Sequence, residues 1–338
     1  MTEVTREFIQ GLPKAELHLH LEGSLEPELK LKLAQKNNVD IGQSTIEEVK
    51  ASYKFDSLTS FLAVYYPAMN VLQDESDFYA LATDYIEKAK ANGVKYVELF
   101  FDPQAHTSRG VPFDTVINGY YNAVCNAYKK GVEARLIMCF LRDMSAESAM
   151  ETYEQMLPHK EKIIGIGLDS DERNNPPEKF AAVFARAKAD GLHITMHCDI
   201  DQIDSIGHIR TCLMDIGVER LDHGTNIVED PDLVDYVIKN KIGFTCCPCS
   251  NGFVTNDMKG KEIKYLLDKG ALVTVNSDDP AYFQSYICND MYTLADKYDL
   301  TKEQVVKLAK NSFAITWMPD KKKAEYIAII DRYVAENQ

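Results

Sequence analysis

Short apolar runs rich in Val, Ile and Phe recur along the chain and alternate with longer amphipathic stretches. In order the runs are Ala15–His20, Val94–Asp102, Ala134–Leu141, Ile163–Asp169, Leu192–His197, Arg220–His223, Ile242–Cys247 and Leu272–Ser277. They are too uniformly apolar to have one face in water, which is how parallel strands covered on both faces read. Between them Phe113–Lys130, Pro177–Asp190, Ile206–Met214, Pro231–Asn240 and Lys259–Lys269 have helical length and periodicity. Strand alternating with helix predicts βα units and a parallel sheet.

Eight such units suit a closed (β/α)8 TIM barrel, for which ~250 residues is typical. The 338 residues exceed that, and the surplus has a location. The long excursion from Leu21 to Gly93 holds helical stretches around Glu26–Lys36, Ser57–Leu72 and Glu75–Ala91, and Lys302–Gln338 forms a helical tail. No Pro/Gly/Ser-rich linker sets the excursion off, so residues 1–338 are expected to form one hydrolase barrel domain with residues 21–93 as a helical lid insertion. A doubly wound open sheet would carry a Gly-rich turn after an early strand. Only Gly165-Ile166-Gly167 approaches one, and it lies inside a strand without a third glycine.

Composition excludes several partners. With 37 Lys+Arg against 52 Asp+Glu, the net charge of −15 repels a phosphate backbone, so nucleic acid is not expected. No apolar run approaches the ~18 residues of a membrane span. Glu3, Arg6 and Glu7 interrupt the stretch where a secretory leader would be unbroken and apolar, and eight Cys is modest usage. A cytoplasmic protein with reduced thiols and no membrane partner is expected, with self-association into a homo-oligomer left open.

The ionisable residues fall where barrel chemistry sits, at the C-terminal strand ends. His18 and His20 close the first run, His197 the fifth, His223 the sixth, and Asp278-Asp279 the eighth. Spacing of i, i+2 in a strand puts the imidazoles of His18 and His20 on one face. An HxH triplet alone is weak, but with His197 and Asp278 it makes an N3O donor set suited to one Zn2+. Zinc lowers the pKa of its water to ~7, so the chemistry is hydrolytic. His223 would stand beside that water and shuttle a proton. His106 is balanced between substrate contact and a loop hydrogen bond, whereas His159, His193 and His208 read as structural. Cys246-Cys247-Pro248-Cys249 lacks paired metal spacing and reads as small buried thiols. Phe55, Phe61, Tyr65 and Tyr66 read as insertion core before pocket lining.

Three motifs carry a resemblance. Pro13-Lys14-Ala15-Glu16-Leu17-His18-Leu19-His20-Leu21-Glu22-Gly23-Ser24, Leu221-Asp222-His223-Gly224 and Asn276-Ser277-Asp278-Asp279-Pro280 are similar to the adenosine/adenine deaminase family of the amidohydrolase superfamily. The segment from Val97 to Thr107 and Gly167-Leu168-Asp169-Ser170 resemble its adenine deaminase branch. The resemblance implies a mononuclear zinc held by His18, His20, His197 and Asp278, and hydrolytic removal of the 6-amino group of a purine. It implies that His223 and His20 flank the reacting centre, that Asp279 hydrogen-bonds purine N7, and that Ser170 stands where a glycine N–H reaches N3.

One departure matters. The family usually reads His-Ala-Gly-Glu after the fifth strand, and that Glu protonates purine N1; here the segment is His197-Cys198-Asp199-Ile200-Asp201-Gln202. Isoleucine donates no proton, so Asp199, ahead of Asp201, is expected to serve as the acid. A remodelled loop beside the amine predicts an N6-substituted adenine, isopentenyladenine for example, giving hypoxanthine and an amine. Adenine itself, adenosine, and a purine-binding protein that has lost catalysis are the alternatives. A two-metal hydrolase would place a bridging Lys at the fourth strand, and Ile163–Asp169 has none at its end.

Overall fold

The computed structural model describes residues 4–198 and 202–337. Eight strands follow one another in sheet order: β1 (Lys14–Glu16), β2 (Val94–Phe101), β3 (Glu133–Leu141), β4 (Ile163–Asp169), β5 (His193–Cys198), β6 (Arg220–His223), β7 (Gly243–Cys246) and β8 (Leu272–Val275). Each pairs in parallel with the next. The sheet closes through the segment beyond β1, where His20 N–H donates to Asp278 O (3.0 Å) and Asp278 N–H to His18 O (3.1 Å). The expected first strand is therefore shorter than its apolar run. His18 and His20 lie past its end, where Leu19 bridges singly to Asp278 after β8 and His20 to Phe100 in β2.

Side-chain alternation on β3 separates two environments. Leu136, Met138 and Phe140 join the large core shared with the outer helices. Ile137 and Cys139 join Phe100 in a small internal cluster that also touches Ile164 and Trp317. The inner wall of β4 is built from glycine because space runs out: a Cβ on Gly167 would overlap Cys139 Sγ, and one on Gly165 the Trp317 ring. The tail supplies Trp317, whose backbone N–H donates to Glu98 Oε1 (2.9 Å) while the Arg220 guanidinium lies 3.7 Å over its ring and pairs with Glu98. This plug sits at the opposite end of the barrel from the histidines. His193, expected to be structural, belongs to it, stacked on Trp317 and hydrogen-bonded to Glu219.

The excursion after β1 splits between two packing partners. The helix Glu75–Ala91, capped by Asp74, buries Phe78, Leu81, Ala82 and Tyr85 in the main core. The helix Leu58–Ala68 instead buries Phe61, Tyr65 and Ala68 against Val254, Ala281, Tyr282 and Phe283, which follow β7 and β8. That second cluster lies over the histidine end. In the tail, Lys302–Ala314 packs on β1 and β8, and Ser312 Oγ accepts from Ala15 N–H at 2.9 Å.

Candidate active site

Four donors converge at the mouth: an imidazole nitrogen from each of His18, His20 and His197 and an oxygen of Asp278 lie within 4.8 Å of one another, all buried. His18 Nε2 is 3.2 Å and His20 Nε2 3.3 Å from Asp278 Oδ1. His20 Nε2 and His197 Nε2 are 3.1 Å apart. Two imidazole lone pairs aimed at each other and at a carboxylate describe a cation cradle, because without a cation the arrangement is only partly satisfied.

Orientation comes from behind. His18 Nδ1 lies 3.0 Å from Thr245 O, which receives its proton and turns Nε2 inward as a bare acceptor. Asp222, buried on β6, accepts from Thr195 Oγ1 (2.8 Å) and Thr245 Oγ1 (2.7 Å) and lies 3.6 Å from His197 Nδ1. Arg142, fully buried, donates to His197 O and Asn175 O, both at 3.0 Å, and so fixes the end of β5.

His223 Nε2 is 3.6 Å from Asp278 Oδ2, beside the cradle and outside the four-donor group. Burial, then the neighbouring His18, push His223 down to about 3, so its imidazole is neutral. Burial would raise Asp278, but the adjacent His18 and hydrogen bonds from His18 and His20 hold it well below the usual carboxylate range. Asp279 moves the other way: burial and the Asp278 charge push its carboxyl well up. His223, Asp278 and Ser170 all have positive φ, at 63°, 63° and 79°. Backbone strain in three non-glycine residues at three strand ends is a mark of function. It also explains why the related position of Ser170 suits glycine.

These groups open into a cavity at the C-terminal strand ends. Phe61, Tyr65, Tyr66, Leu58 and Leu62 from the insertion form its apolar wall. The reading of these aromatics as core holds in the second cluster, and Phe61, Tyr65 and Tyr66 line the cavity as well; Phe55 packs only. Tyr66 donates from its hydroxyl to Ser170 Oγ at 2.7 Å, tying the insertion to the end of β4. His106 does not line the cavity; its Nε2 lies 2.8 Å from Glu22 Oε1 in a buried pair. Arg109, which bonds Leu72 O and His106, and Arg142 are both absent from the cavity lining. Asp199 and Asp201 lie outside the described residues.

Spacing alone did not single out Asp102, Asp169 or Glu172, which line the cavity, nor Asp222 behind it. The first two closed predicted strand runs, the same signal that marked the histidines. Asp169 Oδ2 is 3.3 Å from His20 Nδ1 and orients that ring. Burial, then Asp169 and Glu22, push the Asp102 carboxyl well above its ordinary range.

A parallel eightfold barrel with an N3O cradle, a neutral histidine and a strained carboxylate at the C-terminal strand ends defines a hydrolase of the metal-assisted kind. The adenosine deaminase family model matches residues 13–333, and the chain belongs to that family, whose members are hydrolytic deaminases of the amidohydrolase superfamily. It is 48% identical to an uncharacterised deaminase of Schizosaccharomyces pombe over 99% of both chains. It is 44% identical to an adenine deaminase of Vibrio parahaemolyticus over 98% of both. The crystal structure of an adenine deaminase from Arthrobacter aurescens superposes with a TM-score of 0.92 at 39% identity, covering 96% of this chain and 99% of the other.

Proposed function

We propose that the protein hydrolyses the amino group at C6 of a free purine base, with hypoxanthine as the purine product. The observation that carries this reading is the convergence of His18, His20, His197 and Asp278 beside His223 and Asp279 at one end of the cavity. Relatives named adenine deaminases at 43–44% identity support adenine as the substrate. A second reading takes an N6-alkyl adenine such as isopentenyladenine and releases an amine. The Asp199-Ile200-Asp201 departure and the apolar wall of Leu58, Phe61 and Leu62 favour it.

The donor set fits a single zinc: three imidazole nitrogens and one carboxylate oxygen, with His18 already locked in the ligating tautomer. The chemistry such an ion supplies is a water made nucleophilic near neutral pH. His223, neutral and beside Asp278, is placed where it would relay a proton between the attacking water and the departing nitrogen. Asp279, raised toward its protonated form, donates to purine N7. Ser170 N–H reaches N3, and Asp199, ahead of Asp201, protonates N1. The insertion closes over the site as a lid, and its aromatic wall keeps bulk water from the ring.

Adenine, adenosine and N6-isopentenyladenine assayed side by side test both readings. Release of ammonia or amine from none of them sinks the C6 reaction, and a strong preference for unsubstituted adenine removes the second reading. Asp199→Asn is expected to lower kcat by ~10²–10⁴, the usual worth of a positioned acid, and Asp201→Asn far less. Unchanged rates in both variants would place the acid elsewhere.

A further inference from the structure

One cavity group has no part in the reaction above. Asp102, at the end of β2, is 1% exposed and lines the cavity, and its Oδ1 has no hydrogen-bond partner. A buried polar atom without a partner costs ~1–3 kcal/mol. Its place in the barrel tells what it would meet. With eight strands in order around the sheet, β2 stands across the mouth from β6, which carries His223. The Asp102 carboxyl lies close to Asp169 and His20, and Tyr66 and Ser170, the hydrogen-bonded pair at the end of β4, line the same cavity.

A purine whose C6 faces His223 turns its far edge, N3 and N9, toward the β2–β4 side. Ser170 N–H takes N3, which leaves N9. A free purine base in its 9H form carries its ring hydrogen on N9. We propose that Asp102 selects free bases over nucleosides and nucleotides by accepting this N9–H, which is missing whenever N9 carries a sugar. A carboxyl keeps one oxygen able to accept in either protonation state. A sugar at N9 would press carbon against Asp102 and leave its Oδ1 buried and without a partner. Among the described lining residues there is no Lys or Arg to hold a nucleotide phosphate, and Asp169 and Glu172 add negative charge.

The inference rests on the C6 reading of the site, and its test separates the two. A 9-methyl group removes the hydrogen while adding little else. On whichever 6-aminopurine base turns over, wild-type kcat/KM is expected to favour the base over its 9-methyl form by ~10²-fold or more, as sites built around a buried hydrogen bond do. Asp102→Ala should bring that ratio below ~10-fold, chiefly by raising KM for the base, and Asp102→Asn, which keeps an acceptor oxygen, should retain most of it. Calorimetric binding of hypoxanthine against 9-methylhypoxanthine reads the same preference with no turnover, so failure of the C6 chemistry would not hide it. Equal treatment of base and 9-methyl form by wild type overturns the proposal. So does an Asp102→Ala variant that weakens both ligands alike and keeps the ratio.

Discussion

Ser170, His223 and Asp278 hold backbone conformations that ordinary residues avoid, and each presents a polar group to the same cavity. Strain of ~1–3 kcal/mol per residue persists only where surrounding structure enforces it. Here the enforcement is the ladder of bonds that closes the barrel through Asp278. Not every unusual residue belongs to the site. Asp290 is buried behind it, accepting from Ser285 Oγ (2.6 Å) and Cys249 N–H (3.2 Å), and burial pushes its carboxyl up to about 8. In the unfolded chain that proton leaves near ~3.9. Between those values the folded state binds the extra proton, so stability falls as pH rises through the window. Asp290→Asn has no such slope, and its Tm relative to wild type should rise between pH 5 and pH 8. Parallel Tm curves across that range would show that Asp290 does not titrate there.

At the scale of elements, the insertion after β1 does two jobs with different side chains. Glu75–Ala91 is a barrel helix by packing, whereas Leu58–Ala68 covers the mouth and shares its apolar residues between a small core and the cavity wall. The Tyr66 to Ser170 hydrogen bond ties this helix to β4. A hydrogen bond of this kind is worth ~0.5–1.5 kcal/mol net, which is about 2- to 13-fold in an equilibrium constant. Tyr66→Phe should therefore raise KM by a few-fold with kcat little changed, because it loosens the cover without touching the reacting centre. A variant that loses kcat at unchanged KM would instead put the Tyr66 hydroxyl in the chemistry. The periodicity of Leu58–Ala68 could not separate core from pocket, since an apolar stripe faces inward in either case. Which interior it faced depended on Val254 and Phe283, distant in sequence.

Across the whole molecule, the cradle joins segments from near both ends of the chain: His18 beside β1, His197 on β5 and Asp278 after β8. An ion held there binds the folded chain and not the unfolded one, at a hundredfold excess over its Kd contributing ~2.7 kcal/mol. Dialysis against a chelator should lower Tm by several degrees and abolish deamination, and zinc should restore both. Loss of neither would remove the metal assignment. Of the described helices, none is long and apolar enough to cross a membrane.

Strand number, the parallel architecture and the histidine positions were legible in the chain, because buried parallel strands are written as uninterrupted apolar runs and the first, fifth and sixth runs end on histidine. Local spacing could not tell how far each strand extends; the single bridges of Leu19 to Asp278 after β8 and of His20 to Phe100 in β2 settled that. Nor could it find Asp222 or Asp102. A carboxylate is significant through what surrounds it: Asp222 through two threonines on neighbouring strands, and Asp102 through an unpaired oxygen in a cavity whose far wall is formed by β6. Burial and partnership join residues remote along the chain, and they exist only once the barrel has closed.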